Sequence, residues 1–259
     1  MSEHLIVWRT RARWFAAEIL IIVTGVLIAL ALNALYERRA DARNESRYLA
    51  LLSRDIQYTT AQLEEKVGFE TAQLRDGIAA YRAISKPTRL ANSATISAAL
   101  DKLTGRRTLV LRDAAYADLV GTGNLRLIRN RELRDNIVEY YGITRAEFEI
   151  MNKNNSFYVD ELYNSLLIGK GLINPGSTAV GNLTSLSAVN ARLSRLLRPG
   201  YITEPNYVWR LPADGPEWAQ LKSTLLARVR IAALSEHSAQ QALARTRELG
   251  AALQTERTR

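Results

Sequence analysis

Cysteine is absent from this 259-residue chain, and histidine occurs only twice, as His4 and His237. Without a thiol, the chain can form neither a disulfide nor a thiolate nucleophile or thiolate metal site. The two histidines are far apart in sequence, so we do not expect them to share a metal ion. The absence of cysteine fits an oxidising or a reducing compartment equally well.

Recognisable catalytic motifs are also missing. The chain contains no phosphate-binding P-loop, no nucleophile elbow, no zinc-protease motif and no dinucleotide-binding glycine pattern. Two pairs of nearby carboxylates, Asp113 with Asp118 and Asp160 with Glu161, are interpreted as solvated faces, because Asp and Glu are mostly exposed in proteins. We therefore expect no enzymatic activity, no cofactor and no metal.

The charge is strongly positive, with 35 basic residues against 26 acidic ones and a net charge of +9. The arginines are spread along the chain, and no compact basic block with interleaved aromatic residues occurs, so nucleic acid is not an expected partner. Solvated faces are the first interpretation of these arginines. Contact with lipid headgroups is the alternative.

One long apolar run is present, from Phe15 to Tyr36, and its only charged residue is Glu18. About 20 apolar residues in a helix cross a hydrocarbon core of roughly 30 Å. The run is therefore predicted to be a single transmembrane anchor. Three alternatives are a cleaved signal peptide, a buried core helix and an interfacial helix; the run is long for the first two, and it lacks the charged face of the third.

One face of this anchor differs from the rest. Gly25 and Ala29 form a pair of small residues that permits close approach of another helix. Glu18 and Asn33 lie near the two ends of the same stripe. The stripe either places its polar residues at the two headgroup regions or docks on a helix of another membrane protein or of a second copy. The predicted interface, within roughly 80° of arc, consists of Glu18, Ile22, Gly25, Ala29, Asn33 and Tyr36.

The rest of the chain has the apolar spacing of helices separated by proline and glycine. We divide the sequence into a short basic N-terminal tail (1–14), the anchor (15–36) and a soluble helical domain (37–259). The anchor is predicted to continue as one helix to Ile84, before Pro87. Beyond the anchor, this helix is expected to bury one apolar stripe that includes Ile78 and is interrupted at Thr59–Thr60 and Glu70. Further helices are predicted near 93–103, 114–120, 130–168, 183–197 and 216–253. Their expected caps are Ser93 or Ser97, then Asn130 and Asp214, and residues 254–259 are expected to fray. The expected fold class is all-α, with a transmembrane helix running into a long helix of a soluble bundle.

Two segments of the domain are candidate sites. The stretch 114–143 is predicted to form a tight helix–loop–helix corner, in which Tyr116, Asn124 and Arg129 are the residues of a hypothetical ligand site. The aromatic segment 201–216 is predicted to cross the bundle as a packed strap. As the alternative, Tyr207 and Trp209 contact a partner.

The sequence resembles a bacterial family of uncharacterised single-pass membrane proteins, domain-of-unknown-function family 6090. The resemblance rests on the segments EILIIVTGVLIALALNALYERR and YADLVGTGNLRLIRNRELRDNIVEYY, and more loosely on PEWAQLKSTLLARVR. Ala17 and Leu35 depart from the family pattern, which has Gly and Trp there. The resemblance implies an anchor and a helical domain, and it carries over no catalytic residue.

Two functions remain open. The first is an accessory or scaffold subunit that docks on a membrane protein complex. The second is a membrane-tethered module that binds or senses a ligand, without an output domain of its own, since only 14 residues precede Phe15. Both place the chain in a bacterial inner membrane. Arginines flank both ends of the anchor, so charge does not decide its orientation, and a periplasmic domain is expected because long C-terminal domains translocate largely regardless of charge.

Overall fold

The structure is a computed structural model that describes the backbone of residues 3–172, 207–212 and 214–258. Within these ranges, the side chains of residues 3–17, 19, 21, 207 and 210 are not described. Helices are the only regular secondary structure in the described ranges, which confirms the all-α class. The predicted helix 183–197 and the loop before it lie outside the described residues.

Two long antiparallel helices form the frame of the bundle. Helix α1 spans Glu3–Ile84, and helix α6 spans Pro216–Arg257. An ideal Cβ on Gly77 of α1 lies 2.7 Å from Val229 of α6, and one on Gly250 of α6 lies 3.3 Å from Ile56 of α1. The two helices therefore run in opposite directions. As predicted, α1 ends before a proline and α6 begins at one, because proline is tolerated only in the first turn of a helix.

Shorter helices fill the space along this pair. Helix α2 spans Ser93–Lys102, α3 spans Ala114–Gly121, and α4 spans Arg131–Asn154. Helix α4 continues without a break into a π-helix, Asn155–Asn164, and then into α5, Ser165–Gly169. Single-turn 3₁₀ segments occupy Pro87–Arg89, Asn124–Leu127 and Tyr207–Arg210.

Several predicted helix ends need correction. The cap of α6 is Gly215 rather than Asp214, and the cap of α2 is Asn92 rather than a serine; neither makes a side-chain capping bond. Helix α6 also extends to Arg257, beyond the expected fraying point. The predicted cap of α4 is confirmed, because Asn130 Oδ1 accepts the N–H of Leu133 at 3.1 Å.

The core consists of three apolar clusters arranged along α1. The cluster nearest the N-terminal half of α1 joins Leu49 and Leu52 to α3, α4 and the end of α6. A central cluster surrounds Leu63. The third lies at the far end, around Ile84 and Trp218. These three clusters confirm that residues 49–84 of α1 belong to a helical bundle.

The buried stripe of α1 differs in its second half from the predicted one. Ile78 was expected in the stripe but is exposed, whereas Gln73 and Ala80 are buried in its place. Glu70, predicted to interrupt the stripe, is also buried. The stripe therefore follows the partners available on the loop after α2 and on α6, and not apolarity alone.

No helix in the described part of the chain is long and apolar enough to cross a membrane. The predicted anchor, 15–36, lies partly outside the described residues, since the side chains of 15–17, 19 and 21 are not described.

Candidate functional site

The N-terminal half of α1 extends away from the bundle with its apolar side chains exposed. From Leu20 to Tyr36 the large apolar side chains that the structure describes are 47–68% exposed. The first buried side chain along the described part of the helix is Leu49. The apolar segment therefore has no packing partner among the described residues of this chain.

The predicted stripe lies on this exposed segment, and all six of its residues are exposed. An ideal Cβ built on Gly25 meets no atom within 4 Å, so the surface beside it is open. The Asn33 amide donates a hydrogen bond to Glu37 Oε1 at 2.9 Å. The stripe can therefore accept a second helix at close range, and its docking role stays a prediction.

The predicted corner, between α3 and α4, packs directly on α1. Gly123 adopts a left-handed conformation with φ of 70°, which glycine tolerates because it lacks a Cβ. The backbone N–H of Arg129 donates to Glu45 Oε1 at 2.7 Å, and its side-chain Nε lies 3.4 Å from Glu45 Oε2. The corner is therefore fixed to α1 one turn before the first buried residue.

The hypothetical ligand residues of the corner make separate contacts. The Tyr116 ring stacks on Tyr141 with 4.4 Å between ring centroids. The Asn124 amide donates to the Tyr48 hydroxyl at 3.4 Å, and that hydroxyl donates to Asp118 at 2.6 Å. Arg129 is held by Glu45. These contacts serve the packing of the corner, and its ligand role stays a prediction.

The aromatic strap contributes to the core in its described part. Trp209 is buried and meets Trp218 edge-on, with ring centroids 5.1 Å apart. The guanidinium of Arg89 lies 5.0 Å from the centre of the Trp218 ring. In this structure Trp209 is thus a packing residue, while the Tyr207 side chain lies outside the described residues.

A buried ionic cluster, which sequence reasoning missed, occupies the middle of the bundle. Lys66, Glu70 and Arg228 are each at most 1% exposed. Lys66 Nζ lies 2.7 Å from Glu70 Oε1, and Arg228 Nη1 lies 3.9 Å from Glu70 Oε2. Two positive charges therefore hold this carboxylate in the core.

The two cations of the cluster also hold the loop that follows α2. Lys66 donates to the carbonyl of Arg107 at 2.8 Å. Arg228 donates to the carbonyls of Leu103 at 2.9 Å and Gly105 at 3.2 Å, and to the side chain of Gln73 at 2.8 Å. Because a buried carbonyl needs a donor, the cluster stabilises an irregular segment that has no helix partners of its own.

Burial sets the electrostatics of this region. Desolvation lowers the pKa of Lys66, while the neighbouring Glu70 opposes that change. Desolvation likewise lowers the pKa of Arg228. Burial raises the pKa of Tyr163, whose hydroxyl donates to the Leu100 carbonyl at 2.9 Å. The sequence signal was the Lys66–Glu70 spacing of four, which places both side chains on one helix face.

The surface of the bundle carries shallow grooves. One, with a volume of about 410 Å³, lies between the π-helix and α6 and is lined by apolar residues that include Leu226 and Ile231. Within the described ranges, no group of three His, Asp or Glu residues could hold a metal ion.

Comparisons with protein-family models, with curated proteins and with solved structures found no match for this chain. The resemblance noted from the sequence therefore stays a prediction.

Proposed function

We propose that this protein is anchored in a bacterial membrane by residues 15–36 and acts as an accessory or scaffold subunit of a membrane protein complex. The observation that carries the proposal is the exposed apolar segment of α1. Large contiguous apolar surfaces on a soluble protein mark contacts with proteins or membranes. Here the apolar side chains point to all sides of the helix, as is typical of a helix surrounded by lipid.

The docking role depends on the stripe through Gly25 and Ala29. Between helices in lipid there is no hydrophobic driving force, so association relies on close packing at small residues and on polar contacts. The stripe offers both, with Asn33 one turn beyond Ala29. The open space beside Gly25 shows that a larger side chain there would not disturb the described part of this chain.

The test is affinity capture of the tagged full chain from membranes in mild detergent, followed by mass spectrometry. We expect a stoichiometric membrane protein to co-purify with the wild type and to be lost from the Gly25→Leu variant. Ala34→Leu is the matched control, because residue 34 lies on the opposite side of the helix. Recovery of the wild-type chain alone would contradict the proposed docking role.

We further propose that the helical domain lies in the periplasm, because long C-terminal domains translocate largely regardless of their charge. Since the chain has no cysteine, a single Ser223→Cys substitution introduces one thiol at an exposed site. We expect a membrane-impermeant maleimide to label it in intact cells whose outer membrane is permeabilised. Labelling only after lysis of the inner membrane would place the domain in the cytoplasm.

The groove between the π-helix and α6 favours a second candidate, a membrane-tethered sensing module. π-Helical segments frequently occur at functional sites. For this candidate we expect a small apolar ligand to raise the melting temperature of the full chain. Ala227→Trp, which fills the groove, should abolish the shift, whereas the same substitution at the exposed Ala79, outside the groove, should not.

A further inference from the structure

The corner between α3 and α4 brings distant arginines to the point where the exposed apolar segment ends. The Arg129 Nη2 group donates to the carbonyl of Arg38 at 3.3 Å, although the two residues are 91 positions apart. Arg38 follows Tyr36 by two residues, or about 3 Å along the helix. The guanidinium of Arg129 is thus held beside the first turn after the predicted anchor.

Exposed arginines lie on the part of α1 just beyond the apolar segment and on the corner that packs against it. Four of them follow the apolar segment on α1, and two come from the corner. We call these six residues the arginine collar: Arg38, Arg39, Arg43, Arg47, Arg126 and Arg129. All six side chains are exposed.

Few carboxylates oppose the collar. On the same stretch of α1 the acidic residues are Glu37, Asp41 and Glu45, while beside the corner Asp118 accepts a hydrogen bond from Tyr48 and Glu256 accepts one from Asn130. Glu45 is engaged with Arg129, and Glu37 accepts a hydrogen bond from Asn33. Within the described part of the chain, the other five collar arginines form no ion pair. Their positive charge is therefore available to a ligand outside the chain.

We propose that Arg38, Arg39 and Arg129 of the arginine collar bind the phosphate headgroups of anionic phospholipids, while its other three arginines strengthen the positive field around them. The inference rests on the proposed anchor, which places Arg38 and Arg39 in the headgroup region, roughly 5–7 Å thick on each side of the hydrocarbon core. Guanidinium groups bind phosphate oxygens in a bidentate manner. Arg129 adds a headgroup contact from the folded domain. The anchor tethers the bundle to the bilayer, and the collar holds the bundle close to it.

The test uses the full chain reconstituted in vesicles of phosphatidylcholine with a minor fraction of phosphatidylglycerol. Lipids retained after mild detergent extraction are then identified by native mass spectrometry. Arginine near an anionic surface gains about fivefold in binding per residue. We expect phosphatidylglycerol to be enriched several-fold over its bulk fraction, and the enrichment to fall with rising salt, because exposed charges are screened.

The variant removes three collar charges: Arg38→Gln, Arg39→Gln and Arg129→Gln. Its matched control removes three charges at the far end of the bundle, Arg75→Gln, Arg82→Gln and Arg230→Gln, roughly 40 Å or more along the bundle from the collar. We expect the collar variant to lose most of the enrichment and the control to retain it. Melting curves of both variants check that the fold is intact.

Resistance to alkaline extraction is measured on the same vesicles, and it reports insertion of the anchor independently of lipid selectivity. If the wild-type chain is inserted but shows no phosphatidylglycerol enrichment, or if the collar variant keeps that enrichment, the headgroup-binding proposal is wrong and the anchor proposal stands. If alkali extracts the chain from the vesicles, the anchor proposal and the headgroup-binding proposal are both wrong.

Discussion

The two halves of helix α1 differ in which side chains they expose and which they bury. Before Tyr36, apolar residues such as Leu30 are 60% exposed, and the described part of the chain covers none of them. After Leu49, three charged residues of α1 are buried, and two of them, Lys66 and Glu70, lie at the centre of the bundle. One continuous helix therefore carries an apolar exterior at one end and an ionic interior at the other.

The difference indicates two different surroundings for a single element. An exposed apolar half is favourable only where water is excluded from it, as by lipid or a partner helix. A buried ionic half is tolerated only where its charges are paired. The helix thus connects a segment that depends on its external surroundings to a segment that depends on internal partners.

Removing the central carboxylate, Glu70, should cause the largest loss in the unfolding free energy of the bundle. Glu70→Leu leaves Lys66 and Arg228 buried without their counter-charge, and breaking such a pair costs about 3–5 kcal/mol. We expect a loss of this size in the unfolding free energy, measured by urea denaturation of the full chain in detergent.

The matched control is Glu64→Leu, on the same helix. Glu64 forms an exposed ion pair with Arg247 at 2.8 Å. Exposed pairs of this kind contribute about 0–1 kcal/mol. Equal losses in the two variants would show that burial does not distinguish the central carboxylate from the surface one.

Leucine substitution of two glycines sharpens the comparison between the halves. An ideal Cβ on Gly77 lies only 2.7 Å from the Val229 side chain, whereas one on Gly25 meets nothing. Overpacking a core costs about 1–3 kcal/mol, and the β-branched valine has little freedom to move aside. We therefore expect Gly77→Leu to lower the unfolding free energy by this amount.

Gly25→Leu should leave the unfolding free energy of the bundle unchanged in the same urea measurement. Combining Gly77→Leu with Val229→Ala should recover part of the loss, because the smaller side chain opens the contact. No recovery in the double variant would place the cause of the loss elsewhere in the bundle.

The sequence predicted what depends on local pattern. Helix ends at Pro87 and Pro216 and the Asn130 cap follow from local chemistry, and the all-α class follows from apolar spacing. The buried cluster was not predictable in this way, because Arg228 meets Glu70 only after α1 and α6 pack. Likewise, the contact between Arg129 and Arg38 depends on how the corner folds back, which spacing does not encode.

The pH dependence of stability should report the burial of Lys66. Its folded-state pKa lies below the usual 10.5, because burial disfavours the ammonium form. Between these two values the unfolded chain binds more protons than the folded one, so stability rises with pH. Lys66→Met removes this contribution. We expect a shallower rise in unfolding free energy with pH, measured below pH 10, where the buried tyrosines remain protonated.

The control for this slope is Lys102→Met, which changes an exposed lysine at the end of α2. Its slope should match that of the wild type. The comparison uses slopes rather than absolute stabilities, because Lys66→Met also weakens the contact with Glu70. A slope unchanged by Lys66→Met would mean that the ammonium is as well solvated in the folded chain as in the unfolded chain.

The smallest expected effect comes from Gly68, nine residues before Gly77 on the same helix. Gly68 is exposed, and an ideal Cβ there meets no atom within 4 Å. Alanine is more favourable than glycine inside a helix by about 0.5–1 kcal/mol, since glycine loses more backbone entropy on folding. Gly68→Ala should therefore stabilise the bundle by this amount in urea denaturation. A destabilised variant would show that this face of α1 is in contact with something beyond the described chain, and the buried half of the helix would then share the dependence on external partners proposed for its exposed half.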